Sequence, residues 1–209
     1  MKLGIFGGTF DPVHRGHIAV ATAAAERFGL DRVLLIPSGS PPHKQTPVGA
    51  SYEDRYRLVE LACRGDKRLE ASRLEAPDGD RERHYSIETI ERVRAGMAPG
   101  DELFFILGAD AFAEITLWRR WREVMRLVEF IVVSRPGAEA GQAPAEARAH
   151  WLGDVQVPVS STEIRERLRN GEAVEDWLPP GVLAYIRERG LYGCRATGDV
   201  SGSSRVARG

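Results

Sequence analysis

Long apolar runs are missing from this chain. None approaches the ~18 consecutive residues that a membrane-spanning helix needs, and the N-terminus opens on a strand-like segment without a cationic-then-apolar leader. A soluble, cytoplasmic protein with no membrane partner is expected. Cysteine is scarce too: Cys63 and Cys194 are the two among 209 residues, and they fit neither a metal-ligand spacing nor a disulfide framework. Reduced thiols are expected. Nor is there a surplus of charge. Lys plus Arg number 29 against 30 for Asp plus Glu, a formal net charge of −1, so no nucleic-acid partner is expected. No internal repeat is present. A chain of this length builds one sizeable core. One domain over 1–192 is expected, then a disordered tail over 193–209, where Gly, Ser, Arg and Thr leave little to bury. A homo-oligomer stays open.

What the chain does have is alternation. Strand-like runs are read at Leu3–Phe6, Arg32–Ile36, Leu103–Leu107 and Val128–Val133, with a weak edge candidate at Arg68–Leu74 and a short last strand at Val155–Val159. The apolar runs are continuous, as in strands buried on both faces of a parallel sheet. Helical segments fall between them: His17–Phe28, a helix opened by a capping box at Ser51 and Asp54, and one from Tyr85–Ser86 to about Arg94. A single helix is then read through Phe112, Ile115 and Leu117, with Trp118 and Trp121 near its end. Ser160–Ser161 opens another, ended at Asn170–Gly171, and Pro179–Pro180 begins the last, ended by Gly190. Residues 78–83 read as a charged turn, and residues 138–150, rich in Ala, Glu and Gly, as a surface connection. The pattern implies an α/β fold with a doubly wound parallel sheet and C-terminal helices, its ligands at the carboxyl ends of the strands.

The unusual residues stand at those ends. Gly7-Gly8-Thr9-Phe10-Asp11-Pro12-Val13-His14-Arg15-Gly16-His17 joins a strand to a helix start, a geometry that aims backbone N–H groups and the helix dipole at an anion. Glycine there lets a phosphate approach the backbone closely. No Gly-Lys-Ser/Thr follows, so this is not a Walker loop, and the spacing is not that of the dinucleotide fingerprint. His14 and His17 could chelate, but no third ligand has a recognisable place, so no protein metal site is expected. Chemistry on a phosphate is the expectation. Ser161-Thr162-x-x-Arg165 supplies a second helix start, and Arg165, one turn on, can reach a phosphate over the same end.

Taken together, the signature from Gly7 to His17 and Ser160-Ser161-Thr162-x-Ile164-Arg165 resemble the nucleotidylyltransferase superfamily with its HxGH signature. Within it, the intervening motifs resemble the bacterial nicotinate-nucleotide adenylyltransferases. They are Pro42-His43-Lys44, Tyr85-Ser86-Ile87-Glu88-Thr89-Ile90, Gly108-Ala109-Asp110 with Trp118, Ser134-Arg135-Pro136-Gly137, and the ending from Leu178 to Tyr192. The likeness spans residues 2–192. The departures are the 138–150 connection, the tail, and Arg119 where an aromatic residue can occur.

The resemblance implies a Rossmann-like nucleotidylyltransferase fold and transfer of AMP from ATP, with Mg²⁺, to nicotinate mononucleotide. It implies His14, His17 and Arg165 as catalytic groups. ATP would be bound by Gly7, Gly8, Thr9, Phe10, His14, His17, Gly108, Asp110, Arg135, Ser161, Thr162 and Arg165. His43, Lys44, Ser86, Ile87, Thr89, Trp118 and Arg119 would hold the acceptor: Lys44 at its phosphate, Trp118 stacked on the pyridine, and the Ile87 and Arg119 amides on the nicotinate carboxylate. Trp121 would stay in the core. The alternatives within the superfamily are a dual or nicotinamide-preferring enzyme and a phosphopantetheine adenylyltransferase, which has threonine at the place of His14. A catalytically silent nucleotide-binding regulator is the alternative from another class, and the intact His14, His17, Lys44 and Arg165 speak against it.

Overall fold

The computed structural model describes residues 1–39, 49–77, 84–134, 144, 146–153, 155 and 158–194. The expectations for His43, Lys44, Arg135, the 78–83 turn and nearly all of the tail lie outside those residues.

Six strands form one parallel sheet in the order β3-β2-β1-β4-β5-β6: β1 Lys2–Gly8, β2 Arg32–Pro37, β3 Leu69–Ala71, β4 Glu102–Gly108, β5 Glu129–Val133 and β6 Ala149–Leu152. Each strand pairs in parallel with its neighbours, and β1 lies between β2 and β4. This reversal of strand order at β1 is the switch point where open α/β sheets bind ligands. The expected doubly wound sheet is present.

Alternation along the strands divides the core in two. Phe104 and Ile106 of β4 face a cluster with α1 (Arg15–Phe28), α2 (Tyr52–Cys63), α6 (Ser161–Asn170) and α7 (Pro180–Arg189). Leu103, Phe105 and Leu107 face the opposite cluster, with α3 (Ser86–Ala95), α4 (Ala109–Ala113) and α5 (Trp121–Leu127). The inner strands are therefore apolar on both faces, as their sequence required. Cys63 is buried in the first cluster, and burial pushes its thiol up to about 12. Neither it nor Cys194 is in a disulfide.

The capping signals act as read. Ser51 Oγ accepts from the Asp54 amide, Ser160 Oγ accepts from Glu163, and Gly171 and Gly190 close α6 and α7 in the left-handed conformation. Two expectations are corrected. The last strand is Ala149–Leu152, inside the segment read partly as a connection, whereas Val155, Pro158 and Val159 lie outside any strand. Pro158 cannot donate to a ladder, while Leu152 is buried in the core. The helix after β4 is broken too. It becomes α4, a 3-10 turn over Ile115–Leu117, and a separate α5 that Trp121 starts rather than ends. The β-branched pair Ile115-Thr116 is poorly suited to continuing an α-helix. The tighter turn buries Ile115, leaves Leu117 80% exposed, and brings Trp118 edge-on to Phe105 at 5.6 Å.

Candidate active site

β1 runs two residues further than its apolar stretch, to Gly8, and the chain then folds back through Phe10. That residue holds a left-handed backbone (φ 49°) before a cis Asp11–Pro12 bond. Packing determines the Phe10 conformation. Its ring is 2% exposed and lies edge-on between Phe6 at 5.6 Å and His17 at 5.0 Å. A Cβ on Gly8 would come within 3.0 Å of that ring, so the loop needs glycine there.

His14 is the N-cap of α1, which starts at Arg15, two residues before the expected His17, and His17 sits on its first turn. The rings lie 3.8 Å apart between centroids, and His17 Nδ1 accepts from the His14 amide at 3.3 Å. An accepting Nδ1 puts the His17 proton on Nε2. His14 Nδ1 is buried with no hydrogen-bond partner among the described residues. Burial pushes His14 down to about 4; it pushes His17 well below its ordinary value, with the neighbouring His14 adding to the effect. Both imidazoles are therefore neutral at pH 7, and an anion placed beside them favours the protonated forms.

α6 closes on the same loop. Ser160 is the cap, which releases Ser161 Oγ to donate to the Pro12 carbonyl at 3.0 Å. Arg165 Nη1 donates to the Asp11 carbonyl at 2.7 Å, and its Nη2 donates to Thr162 Oγ1 at 3.3 Å. His14, His17, Phe10, Ser161, Thr162 and Arg165 are thus brought together around one loop. Gly7 is exposed, and Thr9 is drawn in through its carbonyl, which accepts from Arg55.

The other expected residues gather across the switch point. Gly108 and Asp110 are exposed at the end of β4, and Asp110 lies in the first turn of α4 without capping it. Arg119 stands over the Tyr85 ring at 4.6 Å and pairs with Glu88 at 3.8 Å. This holds the turn after Trp118 against the start of α3. The Ser86 and Ile87 amides, first in that helix, have no intrahelical partner. Thr89 is buried, and its hydroxyl donates to Glu75 at 2.8 Å; burial raises the Glu75 carboxyl. Trp118 is half-buried against the second core cluster, as is Trp121.

Sequence reading passed over Asp11, Arg55, Tyr192 and His84. Asp11 reads as a turn residue, and its partners lie far along the chain. Arg55 is 2% exposed and donates to the carbonyls of Thr9 and Ser38 at 2.7 and 2.9 Å. One signal was available: Arg55 falls on the apolar stripe of α2 with Leu58, Val59 and Ala62, where a charge is out of place. His84 is 7% exposed. Its Nε2 and Ser38 Oγ are buried without partners among the described residues, near Gly39 at the carboxyl end of β2. Orphaned buried polar atoms of this kind call for an explanation, and a ligand would supply it.

A cytidylyltransferase-like family model matches residues 5–167. A protein of Solibacter usitatus described as "Probable nicotinate-nucleotide adenylyltransferase" is 55% identical over 192 residues, 92% of this chain and 100% of the relative. A Thermus thermophilus protein with the same description is 41% identical over 193 residues, again 92% of this chain and 100% of the relative. Among solved structures, the Plasmodium falciparum nicotinic acid mononucleotide adenylyltransferase complexed with NaAD superposes with a TM-score of 0.70. It is 15% identical and covers 93% of this chain and 98% of its own. That likeness is one of fold.

Proposed function

Because the chain belongs to the nicotinate-nucleotide adenylyltransferases, within the cytidylyltransferase-like family, we propose that it transfers AMP from ATP to nicotinate mononucleotide, releasing pyrophosphate and forming the deamido dinucleotide of NAD biosynthesis. One observation carries the reading: two histidines in ring contact at the N-terminus of α1, with Arg165 held against the same loop.

The acceptor phosphate is largely dianionic at pH 7, its second pKa being about 6, and needs no base to ionise it. One of its oxygens attacks the α-phosphorus in line as the bond to the β-phosphate oxygen breaks. What the protein supplies is position and charge. His17 Nε2–H faces the α-phosphate and His14 the β/γ end, with the positive end of the α1 dipole behind both. Arg165 and the Ser161–Thr162 helix start hold the outgoing phosphates. Mg²⁺ would come with ATP and would supply neutralising charge at the phosphates that Arg165 and the Ser161–Thr162 helix start hold. Among the described residues, no three His, Cys, Asp or Glu side chains come together to hold it otherwise.

On the acceptor side, Lys44 meets the mononucleotide phosphate and His43 assists; on the ATP side, Asp110 accepts from a ribose hydroxyl. Gly108 and Arg135 border the nucleotide. Trp118 stacks on the pyridine, and the Ile87 and Arg119 amides receive the carboxylate, with Ser86 assisting. These donors favour the acid, since a carboxamide would set NH₂ against N–H.

Pyrophosphate release from ATP plus nicotinate mononucleotide tests the reading, run beside nicotinamide mononucleotide and phosphopantetheine. The acid is expected to give the highest kcat/KM, and no release with it would sink the assignment. Replacing Trp118 by alanine should raise the KM of the mononucleotide about tenfold, the value of one aromatic stack, with ATP affected less than about twofold. Equal losses for both substrates would return Trp118 to the core.

A further inference from the structure

The hub beneath the signature loop is built from four distant pieces of chain. Asp11 is 2% exposed. Its Oδ2 accepts from the Gly49 amide at 2.7 Å; its Oδ1 accepts from the Ala50 amide at 3.1 Å and from the Tyr192 hydroxyl at 2.9 Å. Arg165 Nη1 stands 3.9 Å from the same carboxylate while donating to the Asp11 carbonyl. Packing matches the hydrogen bonding. A Cβ on Gly49 would lie 3.0 Å from the Tyr192 ring and 3.2 Å from Arg165 Cδ, so the three residues are in close contact.

Tyr192 reaches Asp11 only because its own backbone is left-handed. It sits at φ 59°, between Gly190 at 60° and Gly193 at 76°. A tyrosine held there costs conformational energy and persists where its surroundings over-determine it. Burial, together with Asp11, raises the hydroxyl well above its ordinary range, so it stays a donor at every working pH. Arg165 spends one N–H of each Nη on Asp11 and Thr162, which leaves its other donors for a ligand. How far the guanidinium leans towards Asp11 depends on how well that carboxylate is satisfied by others. Without the tyrosine hydroxyl, Asp11 Oδ1 keeps a single long donor, and the nearest compensating cation is Arg165.

We propose that Tyr192 is a positioning residue for adenylyl transfer: by satisfying Asp11, it holds Arg165 turned towards the outgoing phosphates instead of collapsed onto the carboxylate. This rests on the reading of Arg165 as a pyrophosphate ligand. Tyr192→Phe keeps the ring and removes the hydroxyl. In the full chain, kcat should fall about tenfold, the scale of a small misplacement. The Kd of inorganic pyrophosphate, measured by calorimetry without turnover, should rise about fivefold as a charge-assisted contact weakens. In an Arg165→Ala background, the same substitution should change kcat less than about twofold, because nothing remains to be positioned.

Equal effects in both backgrounds, an unchanged kcat, or loss of the far-UV circular dichroism signal on Tyr192→Phe would each assign the hydroxyl to stability alone and overturn the proposal. The parent protein is assayed alongside. Failure of the parent to release pyrophosphate would count against the adenylyl-transfer reading, whereas an active parent that binds pyrophosphate no better than Tyr192→Phe would count against the hub.

Discussion

His17→Ala is expected to lower kcat at least ~100-fold, about 3 kcal/mol of transition-state stabilisation, with the far-UV circular dichroism unchanged. The size follows from geometry. His17 Nδ1 is committed to the His14 amide, which fixes the ring and leaves Nε2–H as its remaining donor. Phe10 braces the ring edge-on at 5.0 Å, and the His14 ring lies tilted against it at 3.8 Å. A donor fixed in advance does not reorganise as charge builds on the α-phosphate, and such donors carry the largest single effects in phosphoryl chemistry. Burial and the neighbouring His14 lower the His17 pKa, and on the proposed role a triphosphate beside it would supply negative charge that opposes this shift. A rate near that of the parent would remove His17 from the mechanism.

The second large effect concerns stability. Arg55→Met should lower the melting temperature by about 10 °C, from roughly 3 kcal/mol at about 2–4 °C per kcal/mol for a chain of this size. Methionine fills much of the volume but donates nothing. It leaves the Thr9 and Ser38 carbonyls, which accept from Arg55 at 2.7 and 2.9 Å, buried and unsatisfied. Each charge-assisted bond lost is worth about 1.5–3 kcal/mol, partly offset because a buried cation is no longer desolvated. That desolvation is visible in the lowered Arg55 pKa, which Asp11 and Tyr192 partly counter. The measurement is thermal unfolding, and a shift under about 2 °C would show that the two carbonyls find other donors.

Local chemistry made much of this fold readable. The strand–glycine–helix start, the Ser51 and Ser160 caps, the glycines closing α6 and α7, and proline at the start of α7 are all decided within a few residues. They appear where the sequence placed them. What escaped depends on tertiary context. β6 is four residues without a β-branched side chain, and it becomes a strand because β5 offers it an edge and the core takes Leu152. The break after α4 reflects the packing of Ile115 and Trp118, which no periodicity encodes. The expected site residues split in the same way. Ser161, Thr162 and Arg165 declared themselves by spacing, whereas Asp11 gives no local sign that it will meet Tyr192, 181 positions away.

That separation has a consequence for how the protein is made. A chain growing from its N-terminus completes the signature loop early, together with the first strands and helix that can fold around it. The donor that finishes the hub, the Tyr192 hydroxyl, follows α7 and so arrives late. Until then Arg55 and Asp11 have only some of their partners, and the phosphate cradle lacks its counterweight. A polypeptide stalled or cleaved before α7 would thus carry the complete HxGH signature and still be a poor consumer of ATP. Competence is acquired near the end of synthesis.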